Sequence, residues 1–417
     1  MRIKSIFSNL TDISKKISKG CIKLVDIVSK QKLKVALISY YYQKPTISGV
    51  GIHIQNLAKY LVKHNCEVHV FCHGDADAYY KENDAYVHVT GRVLTPIGDS
   101  FSKKRLEYDI FESEVIKEII RENLKRKFDV IHTHGALTKS AFIIKKVYGI
   151  TWVHTFHAIE KLRVKELSKE EKQFEDLVSW IENTTNYCDG AIFVSNELLK
   201  EGVKHYNLKS KKIIPNGVDF ELFDIRPIAH ENVLFIGRFS KDKGIDLMPR
   251  LIGEVMTIKN STFTMVCPYT SIGGELEEIR KILAKQEKKY GNRLKIIDKP
   301  LDQDILRKLY TDCQVYIQPS KYESFGLCIL EAMATGRPVV AFNVGGIPEV
   351  IGGSGFAVNT KDRFIYKVKE LLNNRDECIR VGKKANKRAR EFDWDSIARR
   401  TIQYYEKTMK SEKTMKR

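Results

Sequence analysis

The chain has 417 residues, of which 43% are hydrophobic and 10% aromatic, with a formal net charge of +19. The length suits two domains of ordinary size, and the apolar content excludes a disordered chain. No apolar run approaches eighteen residues, so the reading expects no membrane span, and the charged N-terminus lacks the apolar stretch of a secretory signal.

In chain order, residues 3–29 come first. Ile3, Phe7, Leu10, Ile13, Ile17, Cys21, Leu24 and Val28 fall on one stripe of a helix, with Lys4, Lys15, Lys16, Lys19 and Lys23 mostly off it. Gly20 divides the stripe in two. Such a basic amphipathic helix can lie in a membrane interface, pack on the globular body or pair with a second chain. Peripheral contact with an anionic membrane face, weakening with salt, is the expectation carried forward.

From Leu33 the pattern alternates between strands and helices. Lys34–Tyr40 is an apolar, β-branched run fit for a buried parallel strand. A loop with Pro45, Gly49 and Gly51 follows, then an amphipathic helix to about His64. Strands are predicted at Glu67–Cys72, at Tyr86–Val89 as the third, and at Val130–Thr133, Ile150–Thr155 and Gly190–Val194, with a helix at Glu107–Arg126. Pro215 to Pro227 reads as a linker. A second block carries strands at Val233–Ile236, Thr262–Val266, Leu294–Ile297, Val315–Gln318, Val339–Phe342 and Phe356–Val358, and a last helix at about Trp394–Thr408. This alternation predicts α/β doubly wound sheets. The expected division is an extension at 1–32, a first domain at 33–214, a second at 228–393, and a terminal helix with a basic tail at 394–417.

The eight cysteines are scattered among apolar neighbours with no Cys-x-x-Cys pair, which reads as buried, reduced thiols in a cytoplasmic protein. The positive charge suits nucleic acid, an anionic membrane or an anionic substrate, and a lysine-rich solvated surface gives the same number. No nucleic-acid motif accompanies it, so no nucleic-acid partner is expected.

The most informative segment is Tyr322-Glu323-Ser-Phe325-Gly326-Leu327-Cys-Ile-Leu-Glu331. It sits between a predicted strand and a helix predicted to start near Phe325. Gly326, without a Cβ, lets a ligand approach the backbone, and the free N–H groups and positive dipole end of that helix would face an anion. Glu323 beside that anion suits hydroxyls better than charge, and Glu331, two turns on, reaches a second set. Phosphate flanked by hydroxyls describes a nucleoside-diphosphate sugar. The same spacing also fits an amphipathic helix with two surface glutamates.

Other segments bear on the same chemistry. Gly237-Arg238-x4-Lys243-Gly244 lies at a predicted strand's C-terminal end, with a guanidinium fork and a mobile ammonium suited to a diphosphate, or to a solvated surface turn. Gly49-Val-Gly51 opens a helix, but Ile54 stands where a dinucleotide fingerprint needs its third glycine. His132, His134, His154 and His157 have spacings that occur in metal sites. With no cysteine near and only Asp129 and Glu160 as carboxylates, they are read instead as packed or hydrogen-bonded (His132, His154) or as facing a ligand (His157). No Ser-His-Asp triad is legible, nor a carboxylate placed as a covalent nucleophile.

Together with Asp129-Val-Ile-His-Thr-His, Val153-His-Thr-Phe-His157, Ala191-Ile-Phe-Val-Ser195 and Ile214-Pro-Asn-Gly-Val-Asp219, these motifs resemble, in order and spacing, the retaining family-4 glycosyltransferases with their Glu-x7-Glu signature. The resemblance covers roughly residues 33 to 405. It implies the GT-B fold, two facing Rossmann-like domains, with Phe392-Asp-Trp394 similar to the start of the helix that crosses back to the first. It also implies a nucleotide-sugar donor, most often UDP-linked, on the second domain, and a glycan, lipid-linked or small polar acceptor on the first. Residue by residue, Glu323 would lie at the donor sugar and Glu331 at the ribose. Arg238, Lys243, Gly49, Gly51, Phe325, Gly326 and Leu327 would line the diphosphate, and His157 would face sugar and acceptor. The family loop usually begins Gly-Gly, where this chain has Ser48-Gly49. Lys161 and Arg163 are similar to an acceptor region that holds acidic groups, or form a solvated helix start. The resemblance further implies front-face transfer with retention, no metal and no cofactor. A non-catalytic nucleotide-sugar-binding subunit and a GT-B epimerase are the alternatives.

Overall fold

In a computed structural model, residues 32–42, 48–92, 101–159, 162, 182–220, 222–223, 232–268 and 275–415 of the protein are described. The amphipathic stripe of residues 3–29, and Lys161 and Arg163, which the sequence reading set at the acceptor, lie outside them.

Two sheets form two α/β domains. The first sheet contains β1 (Lys34–Ile38), β2 (Glu67–His73), β3 (Ala78–Glu82), β4 (Ala85–Thr90), β5 (Val130–His134), β6 (Thr151–Phe156), β7 (Gly190–Phe193) and β8 (Lys211–Ile213). Its order is β3-β4-β2-β1-β5-β6-β7-β8. The second contains β9 (Asn232–Ile236), β10 (Thr262–Val266), β11 (Leu294–Ile297), β12 (Val315–Gln318), β13 (Val339–Phe342) and β14 (Phe356–Val358), in the order β11-β10-β9-β12-β13-β14. β1 is wholly buried, as a run with helices on both faces must be, and pairs in parallel with β2 from Lys34↔Glu67 to Ile38↔Phe71. In each sheet the chain first winds outward and then returns to the other side of its first strand. The switch points are β1/β5 and β9/β12, and open α/β sheets bind ligands beyond the strand ends there.

The sequence reading missed one hairpin. The strand predicted as third is the fourth, and β3 precedes it as an antiparallel partner. Asn83 and Asp84 join them with φ of 47° and 60°, the double left-handed geometry of a tight hairpin turn. β3 is almost wholly exposed, so it shows no apolar alternation, and only its pairing makes it a strand. The short, lysine-bearing β8 at the other edge was missed for the same reason.

The last helix, Trp394–Met415, leaves the second domain and packs on the first, seven residues longer than the sequence suggested. Its contacts are specific. The Tyr405 hydroxyl lies 2.6 Å from His132 Nδ1, and the Tyr404 hydroxyl accepts from the Ala191 amide. Glu412 accepts from Lys145 Nζ at 3.0 Å and from the Thr151 hydroxyl at 3.1 Å. At the crossing point Trp394 is buried against Gly217, where any Cβ would stand 2.7 Å from the indole. Among the described residues, no helix is long and apolar enough to cross a membrane. The described cysteines are free thiols, all buried except the half-buried Cys328.

Candidate active site

The loops after β9 and β12 form one unit. Gly244 takes a φ of 76°, and a Cβ there would lie 1.9 Å from the Pro319 carbonyl oxygen, so only glycine lets the two loops touch. Asp242 is fully buried between them. Its carboxylate accepts from Arg238 Nη2 at 3.2 Å and from the Ser240 hydroxyl, and its carbonyl accepts from the amides of Lys321 (2.8 Å) and Tyr322 (3.3 Å). The motif read from the sequence leaves Asp242 inside its unassigned x4 stretch; its place four residues after Arg238 and next to Lys243 is the only local signal of this role. The result is that Lys243 Nζ donates to Glu323 Oε2 at 2.7 Å. Two residues eighty positions apart thus share one spot. The Arg238 side chain is 39% exposed, whereas that of Lys243 is 17% exposed, more enclosed than the sequence suggested.

Glu323 is held from two more directions. The buried Gln318 donates to the Ser320 hydroxyl at 2.8 Å, which lies 3.5 Å from Glu323 Oε2. The Gly346 amide donates to the Glu323 carbonyl at 2.9 Å. Gly345 beside it has a φ of 53°, and a Cβ there would lie 1.9 Å from the same carbonyl oxygen. The Gly345-Gly346 pair was not singled out from the sequence, since nothing local ties it to Glu323.

The helix after Glu323 runs Leu327–Ala334 and begins two residues later than predicted. Gly326 is its cap at φ 100°, a left-handed conformation that cannot continue a right-handed helix. The Phe325 side chain turns into the core against Phe392. Across the cleft, Gly49 opens the helix Gly49–Lys63, and a Cβ on it would meet Leu327 Cδ1 at 3.1 Å. Two helix N-termini therefore converge, an arrangement that favours an anion between them. Gly51, in the first turn behind Gly49, is buried. Further interdomain bonds close the rim. Tyr322 accepts from the Ile159 amide at 3.3 Å, the Ser195 hydroxyl donates to the Ser324 carbonyl at 2.8 Å, and Glu349 accepts from the amides of Asn196 and Glu197.

Glu331 lies inside rather than on a surface. It is buried and accepts from the Tyr310 hydroxyl at 2.7 Å. Burial raises its carboxyl from 4.5 to about 7. The folded chain therefore holds this proton longer than the unfolded chain. The stabilisation is complete below the unfolded value and lost as pH rises through about 7. Without ligand, Glu331→Gln is expected to melt above the parent at pH 8, by roughly 2–3 kcal/mol of stability, with the gap closing by pH 5. Thermal melts of both proteins across that range check it; a gap independent of pH would contradict the assignment.

The histidines regroup relative to their sequence pairs. His132 bonds to Tyr405 and to the Thr155 hydroxyl (2.7 Å), and His154 Nδ1 lies 2.9 Å from the Thr133 hydroxyl. Both are packed and hydrogen-bonded, as expected. His134 and His157 instead face His53, a residue the sequence reading passed over because it lies on a different element. His134 Nδ1 is 3.1 Å from His157 Nε2, and His53 Nδ1 is 2.8 Å from Asn216 Oδ1. Burial holds His53 down at about 4 and keeps His134 and His157 well below the usual imidazole range, so all three are neutral at neutral pH. His157 is two residues before Ile159, whose amide touches Tyr322, so it sits on the first-domain loop that meets the Glu323 loop.

The comparisons agree with this geometry. Residues 47–222 match the model for Glycosyltransferase Family 4, and residues 230–374 match that for Glycosyl transferases group 1. An uncharacterized glycosyltransferase of Methanocaldococcus jannaschii is 26% identical over 402 residues, covering 90% of this chain and 99% of the relative. The alpha-maltose-1-phosphate synthase of Mycolicibacterium smegmatis is 24% identical over 407 residues, covering 90% and 99%. Among solved structures, a sucrose-phosphate synthase from Thermosynechococcus elongatus superposes with a TM-score of 0.77 at 22% identity, covering 91% of this chain and 100% of that one. An Anabaena protein, HepE, in complex with UDP and glucose, superposes with a TM-score of 0.67 at 18% identity, covering 89% and 99%. Two facing parallel-sheet domains, a helix crossing back between them and two family models laid end to end make this chain a member of the GT-B glycosyltransferases, enzymes that act on nucleotide sugars.

Proposed function

We propose that the enzyme moves a hexosyl group from a UDP-linked sugar to a hydroxyl of a glycan, lipid-linked or small polar acceptor, keeping the anomeric configuration and needing no metal. The observation that carries this reading is the contact of Lys243 with Glu323, four residues before a helix whose N-terminus approaches that of the helix at Gly49. In it, Arg238, Lys243 and the backbone of Gly326 and Leu327 neutralise the diphosphate, so its departure needs no cation. Glu323 exchanges part of its bond with Lys243 for sugar hydroxyls, and Glu331 takes the ribose hydroxyls. His157, neutral, hydrogen-bonds the sugar close to the reacting carbon. The bond from the anomeric carbon to the phosphate breaks as the acceptor oxygen bonds on the same face, and the acceptor proton passes to the leaving phosphate. Solved HepE with UDP and glucose supports the donor class. In this reading residues 33–214 bind the acceptor and 228–393 the donor, while the basic amphipathic extension of residues 1–32 provides reversible contact with an anionic membrane face.

Calorimetry with UDP and with UDP-sugars tests the division of roles. Glu331→Gln is expected to weaken both ligands, by about 1.5–3 kcal/mol for a lost hydrogen bond to a charged group. Glu323→Gln is expected to weaken the sugar-bearing donor alone. Equal losses for both ligands in both variants would sink it. Proton NMR of the first-formed product, with and without EDTA, reads the rest. An inverted product, or no product in EDTA, would overturn the mechanism.

A further inference from the structure

Three histidines from three separate elements of the first domain meet. His53 comes from the helix Gly49–Lys63, His134 is the last residue of β5, and His157 follows β6. One ring nitrogen from each lies within 4.8 Å of the other two. The amide oxygen of Asn216 can only accept, so His53 carries its proton on Nδ1 and keeps the Nε2 lone pair. That Nε2 is buried without a hydrogen-bond partner, and so is His134 Nε2. Such orphaned nitrogens are uncommon inside proteins and call for an explanation. His132 and His154 close by have no such atoms, each being hydrogen-bonded to a hydroxyl.

We propose that His53, His134 and His157 form a site for a borderline transition-metal ion such as Zn²⁺, whose binding reversibly inhibits the enzyme. Three neutral imidazoles with a fourth position open are a recurrent zinc set, and the group holds no carboxylate to favour magnesium or calcium. Asn216 supplies the outer partner that orients a ligating imidazole. Nitrogens bound to one zinc ion at about 2.0–2.1 Å stand roughly 3.4 Å apart, so small ring rotations bring the set together. Burial already favours the neutral rings that a metal needs. The metal occupies the lone pair of His157 and so removes that residue from the sugar. This inhibitory half rests on the role proposed above for His157; the binding half does not.

The test uses the full chain without an affinity tag, stripped with chelator. Titration with Co²⁺ should give the visible absorption of a four-coordinate nitrogen site at one equivalent, displaced by Zn²⁺. His53→Gln and His134→Gln should each weaken binding at least tenfold, while substitution of the exposed His205 should leave it unchanged. Crystals of the parent soaked in Zn²⁺ should show an anomalous peak among the three rings, which holds the proposal to account even if a variant fails to fold. No such peak, or Co²⁺ binding unchanged in both cluster variants, would overturn the site. Zn²⁺ should also abolish transfer, with recovery in EDTA. Zinc seated at the trio with transfer undiminished would overturn the inhibitory half and the place of His157 at the sugar, leaving the site itself standing.

Discussion

Replacing Lys243 with alanine is expected to cut kcat/KM for transfer by about 10²–10³, the 2.7–4 kcal/mol of a lost charge-stabilising donor. Its ammonium is the cation that the fold has carried onto Glu323, and in the proposed reaction the same ammonium meets the charge developing on the leaving phosphate. Lys243→Arg should recover only part of the loss, because the planar fork does not reproduce a compact point charge in an enclosed spot. The fold should survive both changes, since the lysine sits at a loop end outside the core clusters. Steady-state kinetics with circular dichroism melts decide it. Near-parental kcat/KM in Lys243→Ala would place the diphosphate elsewhere.

Gly345→Ala is expected to be nearly as damaging while touching no ligand. The added methyl would stand 1.9 Å from the Glu323 carbonyl oxygen at a φ of 53°. Either the Glu323 loop moves or the loop after β13 does. A shift of about 1 Å at a reacting centre costs on the order of 10²-fold in rate. The backbone strain adds about 1–3 kcal/mol of lost stability. Gly353, also at positive φ (75°) but with open space around the added methyl, is the control, and Gly353→Ala should lose some stability but little activity. Equal rate losses in the two variants would show that strain alone, and not the position of Glu323, sets the effect.

The strands were largely legible in the sequence because parallel strands buried on both faces are unbroken apolar runs. Thr262–Val266, Leu294–Ile297, Val315–Gln318, Val339–Phe342 and Phe356–Val358 fall at the predicted positions, and the other predicted strands differ by a residue or two. β3 was not legible, because an exposed edge strand carries no apolar signal and depends on its partner and turn. The start of the helix at Leu327 was misplaced because the left-handed conformation of Gly326 is a property of the folded loop, whereas glycine alone permits either sense.

The sequence by itself determined the fold class, the order of the motifs and the residue types that suit a nucleotide sugar, since strand periodicity and the spacing around Glu323 and Glu331 are local properties. Only the tertiary structure decided which of those residues meet. The contact of Lys243 with Glu323, the enclosure of Glu331 against Tyr310, the clamp of Gly345 on the Glu323 carbonyl and the gathering of His53 with His134 and His157 all join distant parts of the chain. Each depends on sheet order, on close backbone approaches and on burial, and a charge or a lone pair acquires its function from the groups that burial sets beside it.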